Sequence, residues 1–304
     1  MTMRTLGLLL LSLTLGACCH VDKKPDTPLP PPISLADQLS RLADNAAKSP
    51  RLSGRGKIVL NYQTDTGAKR EETDLIFRAA NNDPHQVPNI ALFGMFAGNE
   101  VFSAGLNPED WWLAIRLDTN TTYTGKTRSL EKQRMSAAPT RADSQPFQPE
   151  ALPQLLNIGP TPNPKGTSWL ILHDDARGTT DLLELWSERE ALEGYTTMSS
   201  LLPGPTIVRT ITINRRTGNI DTIKLHNPDG TLLAQADHAD HRPARIDDKP
   251  TGPILAHRIT ITYPARKARI TLTFDQLEIP ERIKGRPFTL PNFTEQGLKV
   301  IRVD

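Results

Sequence analysis

The sequence predicts a mainly β protein built on one long antiparallel sheet. About thirteen short segments alternate apolar and polar residues with a period of two. Turn-forming strings stand between them, among them Asn107-Pro108-Glu109-Asp110, Arg216-Thr217-Gly218-Asn219 and Asn227-Pro228-Asp229-Gly230. Strands and long helices do not alternate, which argues against a parallel α/β fold. A long sheet with one apolar face must curl on itself or pack on a second sheet or a helix. Hydrophobic residues are 37% of the 304, so the core is expected to be thin, as in a curved sheet.

The chain opens Met1-Thr2-Met3-Arg4, then runs apolar from Leu6 to Ala17, broken only by small residues. That run is well short of the roughly 20 apolar positions a membrane span needs, and it reads as a secretion signal over residues 1–17. It ends Leu15-Gly16-Ala17-Cys18, which resembles the lipobox of bacterial lipoproteins. The resemblance implies cleavage before Cys18, lipid attachment to its thiol, and a chain tethered to a membrane of the bacterial envelope on the periplasmic side. In that pattern an Asp after the lipidated cysteine favours the inner membrane; Cys19 stands there instead, so the resemblance leans to the outer membrane.

Cys18 and Cys19 are the 2 cysteines of the chain, so no disulfide framework is available to the folded part. Cys19 is either a free thiol or a second acylation candidate. The stretch that follows, HVDKKPDTPLPPPI, carries Pro25, Pro28, Pro30, Pro31 and Pro32. Such a run favours extended polyproline conformation at about 3 Å per residue. Residues 18–33 are therefore expected to be a lipidated cysteine and spacer, and residues 34–304 the folded domain.

The first folded element is expected to be a helix. Ser34 can cap it, Asp37 falls in its positive first turn, and Leu35, Leu39, Leu42 and Ala46 form one apolar stripe before Pro50 stops it. From Gly54 the period changes to two. Ile58, Leu60 and Tyr62 share a face, and after Thr66-Gly67 a second run carries Leu75 and Phe77, together a hairpin. Strands are expected at 90–95, 100–104, 111–117 and 121–124, with Trp111, Leu113 and Ile115 on one face.

Residues 126–148 are polar, rich in Lys and Arg, and lack a sustained apolar period; they are expected to be a loop whose charge is a solvated surface. Residues 149–158 read as a short helix. The second half returns to strands at 168–173, 181–187, 206–214, 218–225, 232–237, 255–263 and 268–277. Lys and Arg total 36 against 34 Asp and Glu, a formal charge of +2. No concentrated basic face is evident, so no nucleic-acid partner is expected.

The order of elements resembles the lipoprotein localisation factors LolA and LolB over roughly residues 35–291. The resemblance rests on the capped helix followed by Leu52-Ser53-Gly54-Arg55-Gly56-Lys57-Ile58, and on Ile90-Ala91-Leu92-Phe93-Gly94. The segments Asn107-Pro108-Glu109-Asp110-Trp111-Trp112 and Tyr123-Thr124-Gly125, the short helix from Glu150, and the closing strands through Phe288-Thr289-Leu290-Pro291 add to it. The chain departs from that family in its greater length, in the long stretch 126–148, and around Pro160 to Pro164. The resemblance implies a strongly curved antiparallel sheet, a half-open barrel covered by a few helices, whose apolar concave side takes acyl chains or lipoproteins. The implied role is in outer-membrane lipoprotein or lipid trafficking. An envelope scaffold or stress sensor that binds other proteins through the same fold is the alternative.

On that reading the candidate cavity residues are Ile58, Leu60, Leu75, Phe77, Leu92, Phe93, Phe102, Trp111, Leu113 and Ile115. The same pattern also suits ordinary core beneath a helix. Met95 and Phe96, beside Gly94, are candidates for an apolar loop that reaches lipid or a client, or for part of a buried strand. The string Asp237-His238-Ala239-Asp240-His241 raises a metal site, but on a regular strand His238 and His241 point to opposite faces. No metal and no cofactor are expected. The Gly-x-Ser-x-Gly, His-Glu-x-x-His and phosphate-loop signatures do not occur, and a binding protein rather than an enzyme is expected.

Overall fold

A computed structural model describes residues 31–64, 67–81, 87–116, 120–127, 147–158, 168–186, 206–227 and 229–303. The chain divides into two units, Met1–Pro31 and Pro32–Asp304, and the fold is that of the second. Cys18, the signal, most of the spacer and most of the polar stretch 126–148 lie outside the described residues.

Helix α1, Leu35–Lys48, begins as its sequence requires: the Ser34 hydroxyl accepts the Asp37 N–H at 3.1 Å, satisfying one of the first-turn donors. Its buried side is centred on Leu42 and Gln38, with Leu35 and Leu39 packed against the core.

Fourteen strands among the described residues make one curved, unclosed sheet. The N-terminal limb is an antiparallel meander of β1 (Arg51–Thr64), β2 (Gly67–Ala80), β3 (Asn89–Phe96), β4 (Asn99–Leu106), β5 (Asp110–Ile115) and β6 (Thr121–Lys126). The C-terminal limb is a second meander of β7 (Ser168–Asp174), β8 (Thr179–Trp186), β9 (Thr206–Asn214), β10 (Ile220–His226), β11 (Leu232–Pro243), β12 (Ile254–Tyr263) and β13 (Ala268–Glu278). The limbs join where β1 pairs β13, in the middle of the sheet.

Local chemistry sets the turns. Ala97 and Gly98 both have positive φ, 48° and 83°, the backbone that a two-residue hairpin between right-twisted strands demands. The Asn107 carboxamide oxygen accepts the N–H groups of Glu109 and Asp110, each at 2.8 Å, and so closes the turn into β5.

One pairing is not antiparallel. Strand β14, Lys299–Val303, which the sequence reading did not anticipate, lies parallel to β6 at the sheet edge. The reason is the path between: after β13 the chain crosses the outer face, where Phe293 and Leu298 pack on Ala91, Trp112 and Ala114 in a second, smaller core. Having crossed the sheet, it returns in the direction of β6. A parallel pair needs such a crossover.

The contacts of a single short segment reveal the curvature. Residues 149–151 form a 3-10 turn that runs into helix α2, Leu152–Leu155. This segment packs on β4 and β5 on one side and on β10 on the other. In strand order β5 and β10 stand eight neighbours apart, which a flat sheet would separate by about 38 Å at 4.7–4.9 Å per strand. Only a sheet wrapped around the segment lets it reach both.

Candidate functional site

The concave face is apolar along nearly its whole width, because alternation places one side chain in two there. Ile58 and Leu60 on β1, Leu75 and Phe77 on β2, Leu92 on β3, Phe102 on β4 and Trp111, Leu113 and Ile115 on β5 are all buried in one cluster. Ile211, Ile223, Ile261, Ile270 and Leu272 continue it across the C-terminal limb. Phe93, counted with Leu92 as a cavity residue from sequence, is on the other face and packs against the outer cluster. Adjacent residues of a strand cannot share a face.

The hollow is filled by residues of the interior segment. Phe147, Ala151, Leu152, Leu155 and Leu156 are buried in the same cluster as the sheet, and the ring of Phe147 stands edge-on to Phe102 with centroids 5.6 Å apart. Two polar side chains from the C-terminal limb hold the segment's backbone. The Tyr263 hydroxyl donates to the Gln148 carbonyl at 3.3 Å, and His238 Nε2 lies 2.9 Å from the Leu155 carbonyl. A carbonyl can only accept, so His238 carries its proton on Nε2.

Burial lowers the His238 pKa from 6.5 to about 4, the Leu155 carbonyl only partly opposing it. Burial also lowers the pKa of His241, against the Ile220 carbonyl and the Asp221 and Asp240 carboxylates, and that of His257. Asp240 has φ 54°, which breaks the strand's alternation, so His238 and His241 line the same cavity instead of diverging. Among the described residues no group of three or more His, Cys, Asp or Glu is placed to hold a metal.

That cavity has a volume of about 80 Å³ and lies between α1, the end of the interior segment and strands β10 to β13. Leu42, Leu156, Ile259 and Phe274 are among its walls, and exposed Ile254 is at its margin. Of the ten candidate cavity residues only Phe77 reaches it; its ring meets that of Phe274 at 5.4 Å. Eight others are in the closed part of the concave core, and Phe93 is on the outer face. The walls from α1 and β10 to β13 were not among the cavity candidates, although Leu255, Ile259 and Ile261 show the same alternation as the first limb.

Midway along the N-terminal limb, the β3–β4 hairpin carries Met95, half-buried, and Phe96, 61% exposed. Phe96 is thus an apolar tip on a tight turn and not part of a buried strand. No helix among the described residues is long and apolar enough to cross a membrane.

These features define an open, curved β-sheet whose concave core is closed by two short helical elements and one adjoining cavity. No family model matches the sequence, and no curated protein matches it. Among solved structures, the chain is similar to a DUF1329 family protein from Desulfovibrio piger, with 8% identity, 83% of this chain and 95% of that chain covered, and a TM-score of 0.48. It is similar to a domain from Vibrio parahaemolyticus assigned to outer membrane lipoprotein sorting, with 10% identity, 84% and 97% covered, and a TM-score of 0.45. It is also similar to a LolA superfamily protein from Nitrosomonas europaea, with 8% identity, 85% and 98% covered, and a TM-score of 0.44.

Proposed function

We propose that this protein binds acyl chains, free or carried by lipoproteins, in its concave hollow, while anchored by lipid on Cys18 to the periplasmic face of the bacterial outer membrane. It acts as a binding protein in lipoprotein or lipid trafficking rather than as an enzyme. The observation that supports this most is the identity of what fills the hollow. Much of the packing opposite the sheet comes from one short segment, residues 147–158, rather than from a second sheet.

Size decides how binding proceeds. Sites for small molecules span about 300–1,000 Å³, far above the 80 Å³ now open. An acyl chain therefore enters by exchange, displacing Phe147, Leu152 and Leu155 and taking up their contacts with the sheet. Each methylene removed from water contributes about 0.8 kcal/mol, and the chain replaces apolar side chains with apolar tail. The Tyr263 and His238 bonds are two side-chain ties that such an exchange breaks.

The experiment is uptake of an acylated fluorescent probe by the intact purified protein, alongside mass spectrometry of lipids extracted from it. Saturable probe binding that a co-purified lipid competes away is expected. Failure with saturated, unsaturated and branched probes alike overturns the proposal. Mass spectrometry of the N-terminus tests the anchor separately, through diacylglycerol on Cys18.

A further inference from the structure

The two edges of the sheet differ in a way the binding role does not explain. Strand β14 has five residues and carries Lys299 and Arg302, charged residues of the kind that keep an edge from pairing with another chain. Strand β7 has seven residues, Ser-Trp-Leu-Ile-Leu-His-Asp, without Lys, Arg, Pro or Gly. Its sole strand neighbour among the described residues is β8.

Leu170, Ile171 and Leu172 on β7 are 46%, 37% and 49% exposed, three of the five exposed large hydrophobics among the described residues. They are consecutive, so they point alternately to both faces. A helix or loop laid on one face would cover Ile171 or the two leucines, never all three. An added strand covers both faces and pairs with the backbone edge that no described strand occupies.

We propose that β7 pairs with β7 of a second copy of this chain, antiparallel about a twofold axis through Ile171, joining two sheets edge to edge. The sequence is self-complementary in that register. Position 168 faces 174, 169 faces 173, 170 faces 172, and 171 faces itself, so all seven residues pair. Leu170 meets Leu172 on one face, Ile171 meets its own copy on the other, and no two like charges are opposed. Moving the axis to Leu172 would set Leu170 against the Asp174 carboxylate; moving it to Leu170 would leave His173 and Asp174 unpaired. An isologous contact of this kind closes at two copies and does not propagate. A single strand pair is smaller than the roughly 1,200–2,000 Å² of stable complexes, so the dimer is weak and concentration-dependent.

The test is sedimentation equilibrium of the intact protein over a concentration series, with the parent chain, Ile171→Lys, Ile171→Glu and an equimolar mixture of the two variants. Melting curves confirm that each variant is folded. The parent is expected to pass from monomer to dimer. Each variant alone should stay monomeric, because like charges face each other across the axis, and the mixture should regain the dimer. A parent chain that is monomeric throughout its soluble range overturns the proposal, even if β7 takes up an extended apolar peptide instead. Folded variants that still dimerise alone also overturn it, because the contact then lies elsewhere.

Discussion

Trp112 occupies the space that a side chain on Gly105 would need. The two are paired across β4 and β5, and a Cβ on Gly105 would come within 2.1 Å of the indole Cζ2. Gly105→Ala is therefore expected to cost about 1–3 kcal/mol, the range for overpacking a closed core. Because Trp112 also packs on Phe293 and Leu298, the near-ultraviolet tryptophan signal should weaken with it. Urea unfolding and circular dichroism check both.

Acid should destabilise the fold through its histidines. The unfolded chain takes up a proton at His238 near pH 6.5, whereas the folded chain holds the ring neutral until about 4. Its contribution is intact above pH 6.5 and is lost as the pH falls towards 4, on the order of 3 kcal/mol in all. His241 and His257 are shifted in the same direction. Asp221, raised by burial, works in the opposite sense just above its ordinary value of 3.8. Replacing His238→Gln keeps an amide donor for the Leu155 carbonyl and removes the titration, so its stability should vary less between pH 6.5 and 4. Melts at stepped pH measure the difference, and an unchanged slope would assign the effect to other groups.

Leu155 separates the cost of the filling segment from its use. Leu155→Ala should lower stability by about 2–5 kcal/mol through the cavity it leaves. If the hollow exchanges its filling for a tail, the same variant should bind an acyl probe more tightly than the parent at a temperature where both are folded. Weaker binding by a folded variant would count against exchange.

Phe96 offers the reverse combination. It is exposed at a hairpin tip, so Phe96→Ser should change stability by no more than about 0.5 kcal/mol. If the tip touches lipid, flotation with phospholipid vesicles should fall. Equal flotation of variant and parent would leave the tip without a membrane role.

Much of the architecture was legible in the residues. The period of two located nearly every strand, and Ser34 with Asp37 located the first helix, because these signals act over a few neighbouring positions. The filling of the hollow was not legible. That residues 147–158 reach both limbs depends on the curvature of the whole sheet, which no local pattern encodes. Phe93 was misplaced by treating Leu92 and Phe93 as one apolar patch when a strand sends them to opposite faces. The likeness of His238 and His241 in facing depends on one backbone angle at Asp240, and a positive φ at Asp carries little sequence signal.

The meeting of β1 with β13 also bears on how the molecule forms. Each limb joins strands that follow one another along the chain, so each can assemble from nearby pieces; the β1–β13 seam ties positions such as Ile58 and Leu272, far apart in sequence, and must wait for nearly the whole polypeptide. Pairing across such separations is slow. During synthesis from the N-terminus, β1 thus has no partner for its second edge until the residues of β13 have been made, so the seam is the last antiparallel pairing of the sheet that the growing chain can complete.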